Sequence, residues 1–124
     1  MLADHPVDTT LPATDLERAK QFYTEKLGLR MESEGPEGVY YQSGNTHFFV
    51  YPSQGSASGS HTQMGWTVDD IEAEVAELRS RGVVFEEYDF PGFDRDKSIA
   101  TTGSVKSAWF KDSEGNLLGL VQLT

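Results

Sequence analysis

Apolar positions along the chain change their period in the same order twice. Leu16, Ala19, Phe22, Tyr23 and Leu27 recur at the spacing of one helical face. Residues 8–14 ahead of them read as a short strand running into a helix start. Thr14-Asp-Leu-Glu17 fits a capping box, in which a hydroxyl takes a free backbone N–H and a glutamate three residues on reciprocates. Gly28 suits the helix end and Leu29 opens the next strand. The order then repeats. Residues 63–68 read as a strand, Asp69-Asp-Ile-Glu72 as a cap, and Ile71, Val75 and Leu78 as the stripe, with Gly82 as the stop. Asp70 follows Asp15 by 55 positions, Ile71 follows Leu16 by 55, and Gly82 follows Gly28 by 54.

Three strand-like pieces follow each helix: 29–33, 39–42 and 47–51 in the first half, 83–88, 107–111 and 117–123 in the second. Gly44-Asn45 and residues 112–116 supply the hairpin turns, so Asp112 and Glu114 read as turn residues. The predicted fold class is α+β: two tandem βαβββ modules forming a curled mixed sheet around a cavity, helices outside. Module one covers about 6–53 and module two about 63–123, with a Ser/Gly-rich linker over 52–62. One long loop, 91–106, interrupts the second module and has the length of a binding loop or lid.

Composition narrows the chemistry. The 124 residues suit one domain, and no apolar run approaches a membrane span. The first ten residues lack a basic start and apolar core, so a cytoplasmic location is expected. The absence of cysteine excludes disulfides, thiol catalysis and Cys-based metal sites. Ten basic residues against twenty acidic ones give a net charge of −10, which disfavours a nucleic-acid partner. No Ser/His/Asp spacing and no phosphate-cradling glycine pattern is legible.

Residues 11–29, Leu-Pro-Ala-Thr-Asp-Leu-Glu-Arg-Ala-Lys-Gln-Phe-Tyr-Thr-Glu-Lys-Leu-Gly-Leu, resemble the opening module of the vicinal-oxygen-chelate superfamily, which includes glyoxalase I, extradiol dioxygenases and bleomycin-resistance proteins. Thr67-Val-Asp-Asp-Ile71 resembles the second opening. Trp109-Phe-Lys-Asp-Ser-Glu-Gly-Asn-Leu117 resembles the closing hairpin, with Ser113 where proline is usual. The resemblance implies a site on the concave side of the sheet and a homodimer. Because one scaffold hosts many chemistries, it does not imply a particular reaction.

Metalloenzymes of that superfamily hold one divalent ion through His or Gln, Glu, His and Glu on the first and last strands of each module. Carried onto this chain, those positions are Asp8, Phe48, Gln63 and Gly119. Phenylalanine and glycine offer no side-chain donor, and two ligands make a poor site. A one-residue slip in the first module would bring His47 to the cavity. The expectation is therefore no metal and no cofactor, with Asp8, Gln63 and His47 as the ligands of one divalent ion in the alternative.

Alternation places Asp8, Thr10, Phe48, Val50, Gln63, Gly65 and Thr67 on one concave face. Trp109, expected opposite Gly119, would wall a flat apolar slot, and Phe93 would stand at its rim with Tyr40, Tyr41, Tyr51, Trp66, Tyr88 and Phe90. Thr10, Phe48, Val50, Gln63, Thr67, Trp109 and Phe93 are the expected ligand-binding residues, since aromatic walls with a few polar groups suit a small organic ligand. The leading expectation is a metal-independent small-molecule binder that sequesters a drug or natural product, rather than an enzyme. The alternatives are a lyase, isomerase or dioxygenase-like enzyme with a non-standard metal site, and a non-catalytic subunit that uses the fold for protein contacts.

Overall fold

The computed structural model describes residues 1–123. Thr9–Ala13 (β1) leads into Leu16–Gln21 (α1), and Arg30–Gly35 (β2), Gly38–Ser43 (β3) and Thr46–Pro52 (β4) follow. These strands form a sheet in the order β1-β4-β3-β2, with β1 parallel to β4. Thr62–Thr67 (β5) and Ile71–Ser80 (α2) open the second half. Phe93–Asp94 (β6), Ile99–Thr102 (β7), Val105–Lys111 (β8) and Leu117–Leu123 (β9) complete a second sheet, ordered β5-β9-β8-β7-β6. In each sheet the first strand lies beside the last, so residues far apart in sequence share one surface.

Both helices are capped by aspartate, one residue later than the sequence suggests. Asp15 accepts from the Arg18 N–H and Asp70 from the Ala73 N–H, each at 3.1 Å. The Thr14 hydroxyl is engaged elsewhere, by Glu114 at 3.2 Å. The first helix does not run unbroken to Gly28. After Gln21 it widens into a π turn over Phe22–Lys26, closed by the Leu27 N–H on the Phe22 carbonyl at 3.1 Å. Leu27 and Leu29 thereby pack against the core.

One continuous core lies on the helix side of both sheets. Tyr23 stands over Phe48 and Tyr41 with ring centroids 5.4 and 5.5 Å away, and Phe22 reaches across to Phe110 of the other module at 6.4 Å. Full burial of an aromatic ring of this size contributes about 2–3 kcal/mol.

The second module departs from expectation. Residues 83–88 do not form a full strand. They contribute one bridge, Phe85 to Phe110, and one hydrogen bond, Glu86 N–H to the Trp109 carbonyl at 2.8 Å. The rest of that edge of β8 is taken by β7, which pairs Ala100–Thr102 with Ser107–Val105. The expected long loop thus supplies a strand. Its tip is tied to α2 rather than free: Arg79 donates to the Asp96 carbonyl at 3.1 Å and to the Ser98 hydroxyl at 2.5 Å, and Lys97 pairs with Glu72 at 2.6 Å. Gly92 is required where it stands, because a Cβ there would lie 2.6 Å from the Thr101 carbonyl oxygen.

The closing turn of module two locks onto the start of α1. Asp112 accepts the Tyr23 hydroxyl at 2.5 Å, the Asn116 amide at 2.7 Å and the backbone N–H groups of Glu114 and Asn116 at 2.8 and 2.9 Å. The Asn116 amide also donates to the Pro12 carbonyl at 3.0 Å. Glu114 receives Arg18 Nε at 2.7 Å, the Asp15 N–H at 2.9 Å and Ser113 at 2.8 Å. All three turn side chains are buried. Asp112 and Glu114 are thus more than turn residues. They carry the polar joint between the modules.

Candidate functional site

Strand alternation divides each sheet into the helix face and an opposite, helix-free face. In module one Leu11, Ala13, Phe48 and Val50 belong to the core, which turns Thr10, Pro12, Phe49 and Tyr51 the other way. The expectation that Phe48 and Val50 line the site is therefore corrected. They are 4% and 1% exposed and packed under α1. The run 47–51 is apolar in both phases, so alternation alone chose the wrong face. The one-residue slip brings His47 and Phe49 forward. Phe49 lies between Tyr40, at 4.6 Å, and Tyr51, at 6.5 Å, in a half-exposed aromatic stripe. Tyr41 and Trp66, expected at the rim, also belong to the helix side.

At one end of this stripe stands a polar cluster. His47 Nε2 lies 2.9 Å from Asp8, and its Nδ1 lies 3.4 Å from Glu32. The Tyr40 hydroxyl donates to the second Asp8 oxygen at 3.1 Å. The bond to Asp8 raises the His47 imidazole above its ordinary pKa, and the same carboxylate raises the Tyr40 phenol. The sequence puts Asp8 and His47 together only as ligands in the alternative metal site, and shows no sign of Glu32 or of the Tyr40 bond. The grouping follows from the parallel register, which aligns Thr9 with Phe48 and so brings Asp8 beside His47.

In module two Trp109 pairs directly with Gly119, as expected. The indole N–H donates to the Thr62 hydroxyl at 3.1 Å, and Tyr88 stands edge-on to the ring at 5.4 Å. Phe93 and Phe90 continue the cluster at 5.9 and 6.1 Å from Tyr88. A cavity of about 260 Å³ opens here, lined by Thr62, Tyr88, Phe90, Trp109 and Leu117, with His61 at its edge. A Cβ added to Gly119 would lie 3.4 Å from the indole Cδ1. A longer side chain at that position and the observed indole would compete for one space. Thr10 and Thr67 are exposed on their strands. Gln63 lies at an irregularity in the β5–β9 register, and its side-chain oxygen is buried with no hydrogen-bond partner.

The four carried-over ligand positions do not make up a metal donor set. Gly119 has no donor, Phe48 lies in the core, and Asp8 is already engaged by His47 and Tyr40. Among the described residues no three His, Asp or Glu side chains are grouped to hold a metal ion. Among the same residues no helix is long and apolar enough to cross a membrane.

A four-stranded and a five-stranded module, each opening strand–helix and joined through one core, define a paired-module scaffold with an aromatic cluster on the helix-free face. Residues 4–120 match the Glyoxalase/Bleomycin resistance protein/Dioxygenase superfamily, and the chain belongs to it. Solved structures agree on the fold. A glyoxalase/bleomycin resistance protein/dioxygenase from Nocardioides superposes with a TM-score of 0.72 at 20% identity, over 96% of this chain and 84% of that one. One from Alicyclobacillus acidocaldarius gives 0.73 at 20% identity, over 97% and 92%. Lactoylglutathione lyase from Agrobacterium tumefaciens gives 0.65 at 22% identity, over 95% and 92%. No functionally curated protein matches the chain in sequence.

Proposed function

We propose that the protein is a metal-independent binder of a small organic ligand, held against Trp109 on the helix-free face, and that it acts by sequestering a drug or natural product. The carrying observation is the Trp109–Gly119 pair. Where the superfamily's metalloenzymes carry a carboxylate, this chain places an indole over a glycine, flanked by Tyr88 and a cavity of about 260 Å³. That arrangement offers apolar area and ring faces with the few polar groups needed to orient a ligand. A cytoplasmic homodimer, with the Tyr40–Phe49–Tyr51 stripe facing a second copy, belongs to the same proposal and is checked by sedimentation.

The chain has two tryptophans, Trp66 and Trp109, so a proton–nitrogen spectrum carries two indole signals. Ligands of the proposed site shift the Trp109 signal, and Trp109→Ala abolishes their binding. Hits that leave this signal unmoved would remove the site from the proposal.

A second reading is a lyase, isomerase or dioxygenase-like enzyme with a non-standard divalent site. It draws on the Asp8–His47 contact and the unpartnered Gln63 oxygen. Stoichiometric uptake of Ni, Zn, Mn or Fe(II), lost in Asp8→Ala, would favour it over the first.

A further inference from the structure

The two modules are related by the 55-residue repeat, and the seam between them therefore occurs twice. At one seam Tyr23 of the π turn after α1 fills the space with its ring and donates its hydroxyl to Asp112. At the other, the repeat places Leu78 of α2 where Tyr23 would be. The hairpin registers, Tyr41 with Phe48 and Phe110 with Leu118, place Ser43 where Asp112 would be. Both replacements are shorter, and between them lies a cavity of about 220 Å³. Its walls include Leu78, Leu27, Leu29 and Trp66, with the Ser43 hydroxyl and Glu74 as polar groups. The π turn at Phe22–Lys26 helps to shape it, because it delivers Leu27 and Leu29 to that wall.

We propose that this second seam is a binding site for a hydroxylated arene of one ring, a phenol or a close relative. The ligand supplies from outside what Tyr23 supplies from within. Its ring lies against Leu78 and Trp66, and its hydroxyl meets Ser43. Ser43 suits this role because its oxygen accepts from the Trp66 indole at 2.9 Å, which leaves its own proton to donate. The size agrees: an apolar cavity of about 150 Å³ takes benzene, and this one is larger by roughly a hydroxyl and a further substituent. This site lies on the helix side of the sheets, away from Trp109, and stands or falls independently of the proposed concave-face function.

The test is a titration of the full chain with phenol, with benzene and cyclohexanol alongside, read on the two indole signals. Phenol should shift the Trp66 signal saturably in the millimolar range expected of so small a ligand, and leave Trp109 still. Leu78→Tyr builds the missing ring into the protein, so it should raise the unfolding midpoint and weaken phenol at least about tenfold, by occupying the pocket. Ser43→Ala should weaken phenol towards benzene while leaving benzene unchanged. Shifts confined to Trp109, no saturable shift at all, or unchanged phenol binding in folded Leu78→Tyr would each overturn the proposal. Should Leu78→Tyr fail to fold, the Ser43→Ala comparison and the native Trp66 signal decide alone.

Discussion

The two seams of this molecule solve one packing problem in opposite ways. At the first, a buried carboxylate, a second carboxylate and a buried amide are wired to α1 and β1 by hydrogen bonds that cross the modules. At the second, the Trp66 indole N–H donates to Ser43 beside an apolar gap, and Lys26 reaches the Gly82 carbonyl only at 3.5 Å on the exposed side. A polar joint of many hydrogen bonds fixes geometry, even with the buried Asn116 Oδ1 left without a partner, and a loosely filled apolar joint leaves room for a ligand. A duplicated fold can thus keep one copy of a contact for assembly and release the other for a different use.

The sharpest way to break the comparison is to remove Asp112. Asp112→Ala strands the Tyr23 hydroxyl, the Asn116 amide and two backbone N–H groups in a buried site. The expected loss is about 3–5 kcal/mol, read by urea denaturation. Ser43→Ala at the matching place should cost less than about 1 kcal/mol in the same assay. Equal losses would mean the seams do not differ as described.

Acid should loosen the first seam. Burial would push the Glu114 carboxyl up, but the bonds from Arg18, the Asp15 N–H and Ser113 prevail and hold it down to about 2. A carboxyl lowered in the folded state binds fewer protons there than in the unfolded chain. Its contribution is complete above the unfolded value near 4.5 and is lost as pH falls towards 2. The shift corresponds to at most about 3 kcal/mol. Glu114→Gln should remove this part of the acid sensitivity, as measured by unfolding between pH 5 and the acid limit.

Tyr23→Phe isolates one bond of the lock and should cost about 1–2 kcal/mol, against almost nothing for Leu78→Ile at the equivalent place. The smallest effect lies off the seams. Asp8→Asn should lower the His47 pKa, visible in an imidazole titration, with global stability unchanged, because the pair is well exposed.

Much of the architecture was legible because it depends on local signals that occur twice. Helix stripes, glycine stops and hairpin turns appear at a constant offset, and the Trp109–Gly119 pairing followed from the turn that precedes it. The site of module one was less legible. His47-Phe-Phe-Val-Tyr51 is apolar in either phase, and only the packing of Phe48 against Tyr23 decides which face it takes. The edge of module two was misread for a related reason. Residues 83–88 carry β-formers, but 99–102 compete for the same partner strand and win most of it. The cap of α1 moved by one residue because a glutamate a hundred positions away takes Thr14, and no local rule registers so distant a competitor.

The lock also sets an order of events. It joins residues 12–23 to residues 112–116, across separations of 89 to 104 positions. On a ribosome, module one is complete well before its partner turn exists. At ordinary synthesis rates it waits on the order of several seconds with the Tyr23 hydroxyl and the start of α1 unsealed. Closing so long a loop also carries a large entropic cost that only the last contacts repay. The nascent chain is therefore most vulnerable to proteases and to wrong partners in that interval, and substitutions in the 112–116 turn should lower the yield of folded protein even where the finished molecule tolerates them.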